Sequence, residues 1–287
     1  MPEPGTAAAG TRWLPIHVRV DDDTIRDAIA AALIEAGVDG VQEVADGLVT
    51  YVEEHVDPAS LERAVRRVSP RARLEVSGPA LDANWAEHWA PRVGIQRVAN
   101  LVIAPPWLAS EVAGEVEPII IEPAMAFGTG EHPTTRGVLR LMQGRIRQGD
   151  VVADLGAGSA VLSIAAARLG ASRVAAIEMD ADAIGNAEEN VARNGVEHRV
   201  AVLHGDATLL LPLIAPVRVV LANILSSVLV QLSTVMRESL TADGEAIMSG
   251  ILLSERDDFL HAMVVEGWIV EEEDREGEWW SARLSAR

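Results

Sequence analysis

The spacing of hydrophobic and polar positions changes character twice along the chain. Near the start, "WLPIHVRV" (13–20) alternates apolar and polar residues, as a half-buried strand does. "DDDTIRDAIAAALIEAG" (21–37) has acids in its first turn and Gly37 past its last apolar position, which predicts a helix. "VDGVQEVADGLVTYVEE" (38–54) predicts two strands around an Asp46-Gly47 turn. "DPASLERAVRRV" (57–68) predicts a second helix with Pro58 near its start, and "RARLEVSG" (71–78) a short strand. The order βαββαβ is that of a ferredoxin-like module. That fold hosts many functions, so it names none.

Residues 79–114 show no long period. They carry Trp85, Trp89 and Trp107, several prolines and one expected hairpin through "VGIQRVANLVIAP" (93–105). This reads as an ordered linker whose tryptophans serve packing before anything else. From residue 115 on, near-continuous apolar strands alternate with helical stripes. "DVVADL", "RVAAIEMD", "RVAVLHGD", "VRVVLANIL" and "GEAIMSGIL" read as strands. "VLSIAAARLG" and "DADAIGNAEENVARNG" read as helices between them. That pattern predicts an α/β domain with a doubly wound, mostly parallel sheet. "WIVEEEDREGEWWSARLSA" alternates strictly around Gly277, so the sheet should finish in an antiparallel hairpin. The expected division is a ferredoxin-like domain at 1–78, a Trp-rich linker at 79–114 and a larger α/β domain at 115–287.

Composition narrows the classes. Apolar residues make up 49% of 287, enough for a sizeable core, and cysteine is absent. There is therefore no disulfide framework, thiolate nucleophile or cysteine metal site. The net charge of −19 disfavours a nucleic-acid partner and favours a basic one. Lysine is absent; the 24 residues counted as Lys or Arg are all arginine. The first thirteen residues lack a basic start followed by an apolar run. The most apolar stretch, "LLLPLIAPVRVVLANIL" (209–225), is interrupted by Pro212, Pro216 and Arg218 and reads as a loop followed by a buried strand. A cytoplasmic location is expected. The seven histidines are scattered, and no metal site is expected.

The candidate chemistry starts at "DLGAGSA" (154–160), a glycine loop between a strand and a helix. A dinucleotide fingerprint needs glycine at position 161, where valine stands. A P-loop needs a lysine that the chain lacks. The remaining pattern, with Asp154, Gly156, Gly158 and Ala160 in the last glycine slot, is that of a nucleoside-binding loop of S-adenosylmethionine enzymes. Glu178 ends the next strand, where a carboxylate can accept from two ribose hydroxyls. Asp206 ends the third strand, where it can accept from an adenine amino group. Asn223, in "LANIL", ends the fourth and can orient an amine or the donor's methionine part without adding charge. Each acid also has a plainer use as a helix cap or a solvated strand end.

"AFGTGEHPTT", "DLGAGSAVLSIAAARLGA", "LANIL", "SGIL", "NWAEHW" and "EWWSARL" together resemble PrmA, the bacterial family that methylates the eleventh protein of the large ribosomal subunit. The resemblance implies a class I S-adenosylmethionine methyltransferase domain behind a ferredoxin-like domain that recognises the ribosomal protein. It implies trimethylation of lysine side chains and of the N-terminal amine. Cofactor contacts then fall on Thr135, Gly156, Glu178 and Asn223, with "FGTGEHPTT", including Phe127 and Thr129, lying over the donor. Thr135 would meet the donor's carboxylate at a helix start, where an ordinary capping role fits Thr134 as well. Two departures stand out: Glu131 where threonine is expected, and Ala160 for glycine. Two other readings stay open: a non-catalytic protein that keeps the donor fold and grips a basic partner, and an amine methyltransferase with another protein target.

Overall fold

The computed structural model describes residues 13–20, 25–38, 41–44, 47–53, 55–76, 93–112, 117–123 and 128–286. The chain forms two compact units, Met1–Ala90 and Pro91–Arg287.

In the first unit, β1 (Trp13–Arg19), β2 (Gln42–Val44), β3 (Gly47–Glu53) and β4 (Arg73–Val76) pair antiparallel in the order β2-β3-β1-β4. Helices α1 (Arg26–Glu35) and α2 (Pro58–Val68) complete the βαββαβ order. Asp57 caps α2 by accepting from the Ala59 amide at 3.0 Å, and Pro58 takes the first helical position, where its missing N–H costs nothing. Ile16, Val18, Leu48, Val52, Ile29, Leu33, Leu61 and Val65 form its core, the inward halves of alternating strands and amphipathic helices. The acids at 21–23 and Asp46, expected in a helix start and a turn, lie outside the described residues.

In the second unit, β5 (Gln96–Val98) and β6 (Leu101–Ala104) make the expected hairpin, and β7 (Ile119–Ile120) joins it in parallel. Residues 96–98 and 101–104 thus pair within the larger unit, and Trp107 is exposed. Trp85 and Trp89 lie outside the described residues. The main sheet has seven strands: β8 (Val151–Leu155), β9 (Arg173–Glu178), β10 (Val200–His204), β11 (Val217–Asn223), β12 (Leu240–Leu252), β13 (Trp268–Glu276) and β14 (Trp279–Ala286). Their order is β10-β9-β8-β11-β12-β14-β13, parallel except for the final hairpin. This is the α/β class I methyltransferase arrangement expected from the sequence.

Because side chains alternate along a strand, the sheet has two apolar faces. Val152, Val174, Val219, Leu221 and Ile247 pack with helices α3 (Pro133–Met142), α4 (Val161–Leu169) and α5 (Ala181–Arg193). Ala153, Ile177, Val220, Ala222 and Met248 face α6 (Ala207–Ile214), α7 (Ser226–Ser239) and α8 (Arg256–Val265), with Trp268 and Trp280. Residues 209–214, expected as a loop because of Pro212, are helical instead. Asp206 caps α6 through the Thr208 amide at 2.8 Å, and Leu211 is fully buried; these outweigh the single backbone bond that Pro212 removes.

At the end of the sheet away from the strand carboxyl termini, Glu245 is buried among Arg145, Arg218 and Arg283 at 3.0, 3.3 and 3.0 Å. Burial alone would raise its carboxyl, but hydrogen bonding and charge from the guanidiniums hold it below the ordinary value. Among the described residues, no helix is long and apolar enough to cross a membrane.

Candidate active site

The carboxyl ends of β8, β9, β10, β11 and β12 open onto one cavity of about 810 Å³. Open α/β sheets bind ligands at this end, beside the point where strand order reverses. Here that point lies between β8 and β11.

The turn after β8 forms the floor. Gly156 and Gly158 have φ of 70° and 52°, which glycine adopts without a Cβ clash. A Cβ on Gly156 would sit 2.4 Å from the Ile224 side chain. Ala160 also takes a left-handed φ, 63°, at a cost on the order of 1 kcal/mol. Its methyl is fully buried against the first face, and that burial offsets about the same amount. The turn is held from below: the Gly156 and Ala157 amides donate to the Ile177 carbonyl at 2.9 and 3.2 Å.

Glu178 grips the same turn. Its Oε2 accepts from the Gly158 amide at 2.8 Å, and its Oε1 accepts from the Met179 and Asp180 amides at 2.8 and 2.9 Å. A carboxylate anchored by three N–H donors has a fixed orientation and keeps one of its about four acceptor sites, on Oε2, for a ligand. Asp206 lines the cavity while capping α6, so the capping reading holds and the residue is also part of the cavity wall.

Asn223 faces this floor from β11. Its Nδ2 donates to the Thr135 Oγ1 at 3.2 Å. Thr135 is fully buried and is not among the described residues lining the cavity, whereas Thr134 is. The α3 start therefore divides its two threonines, one behind Asn223 and one toward the cavity. Its cap is His132, whose Nδ1 lies 2.7 Å from Thr134 Oγ1 and 3.4 Å from the Thr134 amide. Thr129 is half-buried and also does not line the cavity, and Phe127 lies outside the described residues.

Sequence reasoning left out several lining residues. His132 and Trp279 form an edge-to-face pair, centroids 4.9 Å apart, at the cavity wall. Burial, with the Arg136 charge, lowers the His132 pKa against the pull of Glu278 and Glu276. The shift favours the neutral imidazole. Trp279 is placed by ion pairs between α3 and β13: Arg140 with Asp274 at 2.6 Å and Glu276 at 2.8 Å, and Arg136 with Glu276. Gly250 and Leu225 also line the cavity. Strand alternation was the available signal for Trp279, since its neighbour Trp280 is fully buried on the opposite side.

Asp154, the penultimate residue of β8, lies beneath the floor and is 1% exposed. Its Oδ2 accepts from the Ser163 hydroxyl at 2.6 Å; its Oδ1 has no hydrogen-bond partner. Burial pushes this carboxyl from 3.8 up to about 7, against the Ser163 hydrogen bond, and the Glu178 charge adds to the rise. Below about pH 4, folded and unfolded chains both hold this proton. As pH climbs toward 7 the unfolded chain releases it freely and the folded one cannot, so stability falls, by on the order of 4 kcal/mol in all. Asp154→Asn keeps an acceptor for Ser163 and cannot ionise. Urea unfolding at pH 5 and pH 8 should show a much smaller decline for the variant than for the parent chain; equal declines would refute the assignment.

Among the described residues, no three His, Asp or Glu side chains gather as metal ligands would. Residues 48–287 match the family described as Ribosomal protein L11 methyltransferase (PrmA). A protein of that name from Synechococcus sp. is 39% identical over 199 residues, which cover 68% of this chain and 65% of that protein. The matched stretch is thus just under two thirds of that relative's length. Another, from Lacticaseibacillus paracasei, is 30% identical across 93% of this chain and 96% of its own length. The crystal structure of a ribosomal protein L11 methylase from Lactobacillus delbrueckii subsp. bulgaricus is 29% identical, with a TM-score of 0.60 over 68% of this chain and 99% of that one. The fold, the glycine turn between β8 and α4 and the match across most of the chain agree: this chain belongs to the ribosomal protein L11 methyltransferase (PrmA) family.

Proposed function

We propose that the chain is an S-adenosylmethionine-dependent protein N-methyltransferase that modifies lysine side chains and the N-terminal amine of ribosomal protein L11. The observation that carries this reading is the convergence of Gly156, Glu178 and Asn223 on one cavity. When bound, S-adenosylmethionine supplies an electrophilic methyl group on a sulfonium. The residues present fit such a donor. The glycines keep the floor low, the braced Glu178 offers its remaining Oε2 acceptor site to a ribose hydroxyl, and Asp206 offers one to an amino group. Gly158 shapes the turn, and Thr134 faces the cavity from the α3 start. Thr135 acts through Asn223. Asp154 ties β8 to α4 through the Ser163 hydroxyl. Phe127 and Thr129 belong to the stretch that the reading places over the donor.

The acceptor must arrive as a neutral amine. A free lysine has a pKa near 10.4, so reaching neutrality at pH 7 costs about 4–5 kcal/mol. Carboxylates beside the nitrogen would raise that cost. Asn223 avoids this: with Nδ2 held by Thr135, its Oδ1 accepts an amine N–H without adding charge. Neutral His132 adds no positive charge to repel an incoming ammonium. Trp279 supplies an apolar wall for a lysine stem. Holding the nitrogen in line is the main catalytic task.

In this reading residues 1–78 recognise the substrate, 79–114 link, and 115–287 carry the chemistry. The −19 charge draws in a basic ribosomal protein, free or on the ribosome, with no direct nucleic-acid site and a cytoplasmic location. Mass spectrometry of L11 after incubation with enzyme and methyl-labelled S-adenosylmethionine should show labelled methyl groups on lysines and on the N-terminal amine. Unmodified L11, with S-adenosylhomocysteine binding intact, would move the reading to another protein target. Absence of nucleoside binding would move it to a non-catalytic protein.

A further inference from the structure

Helix α5 carries Asn186 and Asn190, and its C-cap is Asn194; the four-residue spacing puts all three on one face. They pair with the main chain ahead of the glycine-rich stretch as a strand would. Asn194 donates to the Ile120 carbonyl at 2.7 Å and accepts from its amide at 2.9 Å. Asn190 accepts from the Glu122 amide at 2.8 Å, and Asn186 donates to the Glu122 carbonyl at 3.2 Å.

Asn190 does something the other two do not. It is fully buried, and its Nδ2 also donates to the Ser159 carbonyl, 3.2 Å away in the turn at 156–160. Ser159 in turn donates its hydroxyl to the Gly128 carbonyl at 2.7 Å. The remaining capacity of the Asn190 amide goes to Arg193 at 2.9 Å and Asn186 at 3.3 Å. One side chain thus fixes Glu122 and Ser159 together, and Ser159 carries the link to Gly128.

We infer that Asn190 is a positioning residue for methyl transfer: it sets the turn at 156–160 in register with the segments at 119–122 and 128–131. Asn190 touches no reacting atom. The inference rests on the proposed donor site and goes beyond it, because no residue of α5 was assigned a role there. The chemistry needs this coupling, because the turn that seats the nucleoside and the stretch that shapes the transfer pocket belong to separate loops. A relative shift of about 1 Å between them can cost 100-fold in rate.

The test compares Asn190→Asp, Asn190→Ala and Asn194→Ala. At neutral pH, aspartate keeps the acceptor for Glu122 but turns a donor toward the Ser159 carbonyl into a repulsion. Asn194→Ala loses two bonds to Ile120 and one to the Asn190 carbonyl, but leaves the Asn190 side chain and Ser159 untouched, so it reports simple destabilisation of the helix end. The expected result for both Asn190 variants is at least a tenfold weaker S-adenosylhomocysteine affinity by calorimetry and a tenfold lower kcat, measured well below their unfolding temperatures. Asn194→Ala should keep both within threefold at a similar Tm loss. Amide hydrogen exchange on the ligand-free proteins supplies a readout independent of donor chemistry. Exchange should quicken at 156–160 and 128–131 in the Asn190 variants, and only around 119–121 in Asn194→Ala. Asn190 variants with parental affinity and exchange, or Asn194→Ala matching them, would overturn the inference. If the parent chain bound no nucleoside while the exchange pattern held, the coupling would stand and the donor assignment alone would fall.

Discussion

Asn223→Ala should lower kcat by about two to three orders of magnitude while the chain still folds and still binds L11. The size follows from what one preorganised polar group contributes in a water-poor site, roughly 100- to 1000-fold. On the proposed reading the amide works because it is already oriented: one Nδ2 donor is engaged by Thr135, which would leave Oδ1 for the amine. Truncation also strips the fully buried Thr135 hydroxyl of that partner, which costs about 1–3 kcal/mol. A loss of stability must therefore be separated from a loss of rate, and Thr135→Val does so. It removes the same hydrogen bond, leaves the Asn223 acceptor present but loosely aimed, and should cost only about tenfold in kcat. Asn223→Asp tests the charge argument. A carboxylate at this position holds the incoming amine protonated, so the pH–rate profile should move to higher pH by about one unit or more. An Asn223→Ala enzyme within threefold of the parent kcat, or an Asn223→Asp profile that does not move, would remove Asn223 from the chemistry.

How much of this was legible before any coordinates depends on which physical rule carried each residue. Strand ends were legible because period-2 and period-3.6 segments differ over ten residues, and Glu178, Asp206 and Asn223 sit where a strand pattern stops. Their shared cavity then follows from parallel topology. The split between Thr134 and Thr135 was not legible, since a cap motif fixes a helix start only to within a residue and adjacent helical positions differ by 100° in direction. Helix α6 was hidden by Pro212, a local signal that a cap and one buried leucine override. The paired role of Glu178, bracing the turn while facing the cavity, needed tertiary geometry. The asparagine face of α5 was visible as a spacing, but its partner, an extended segment some seventy residues earlier, was not.

Gly250→Ala should be nearly as damaging as Asn223→Ala, for a reason that involves no polar group. Strand β12 changes register against β14 between Met248 and Ile251, and Gly250 sits in that irregularity with φ of 88°. The bulge lets the turn after Asn223 lie directly on β12, where the Ile224 amide donates to the Ser249 carbonyl at 3.2 Å. A Cβ on Gly250 would stand 2.2 Å from the Ile224 carbonyl oxygen. Backbone on both sides leaves no flexible side chain to yield, so the 223–225 turn must move by about 1 Å to restore ordinary contact. That displacement carries Asn223 with it, and a misplacement of this size costs about 100-fold in rate. Left-handed strain adds about 1–2 kcal/mol of destabilisation. Gly149→Ala separates the two effects: φ there is 95°, but nothing lies within 4 Å of the added methyl. It should lower stability by a similar strain energy and leave kcat within twofold. Steady-state kinetics beside urea unfolding for both variants decides the matter, because equal rate losses would mean that backbone strain, not contact with Ile224, accounts for the effect. A Gly250→Ala enzyme with parental kcat would mean that the position of the 223–225 turn does not limit transfer.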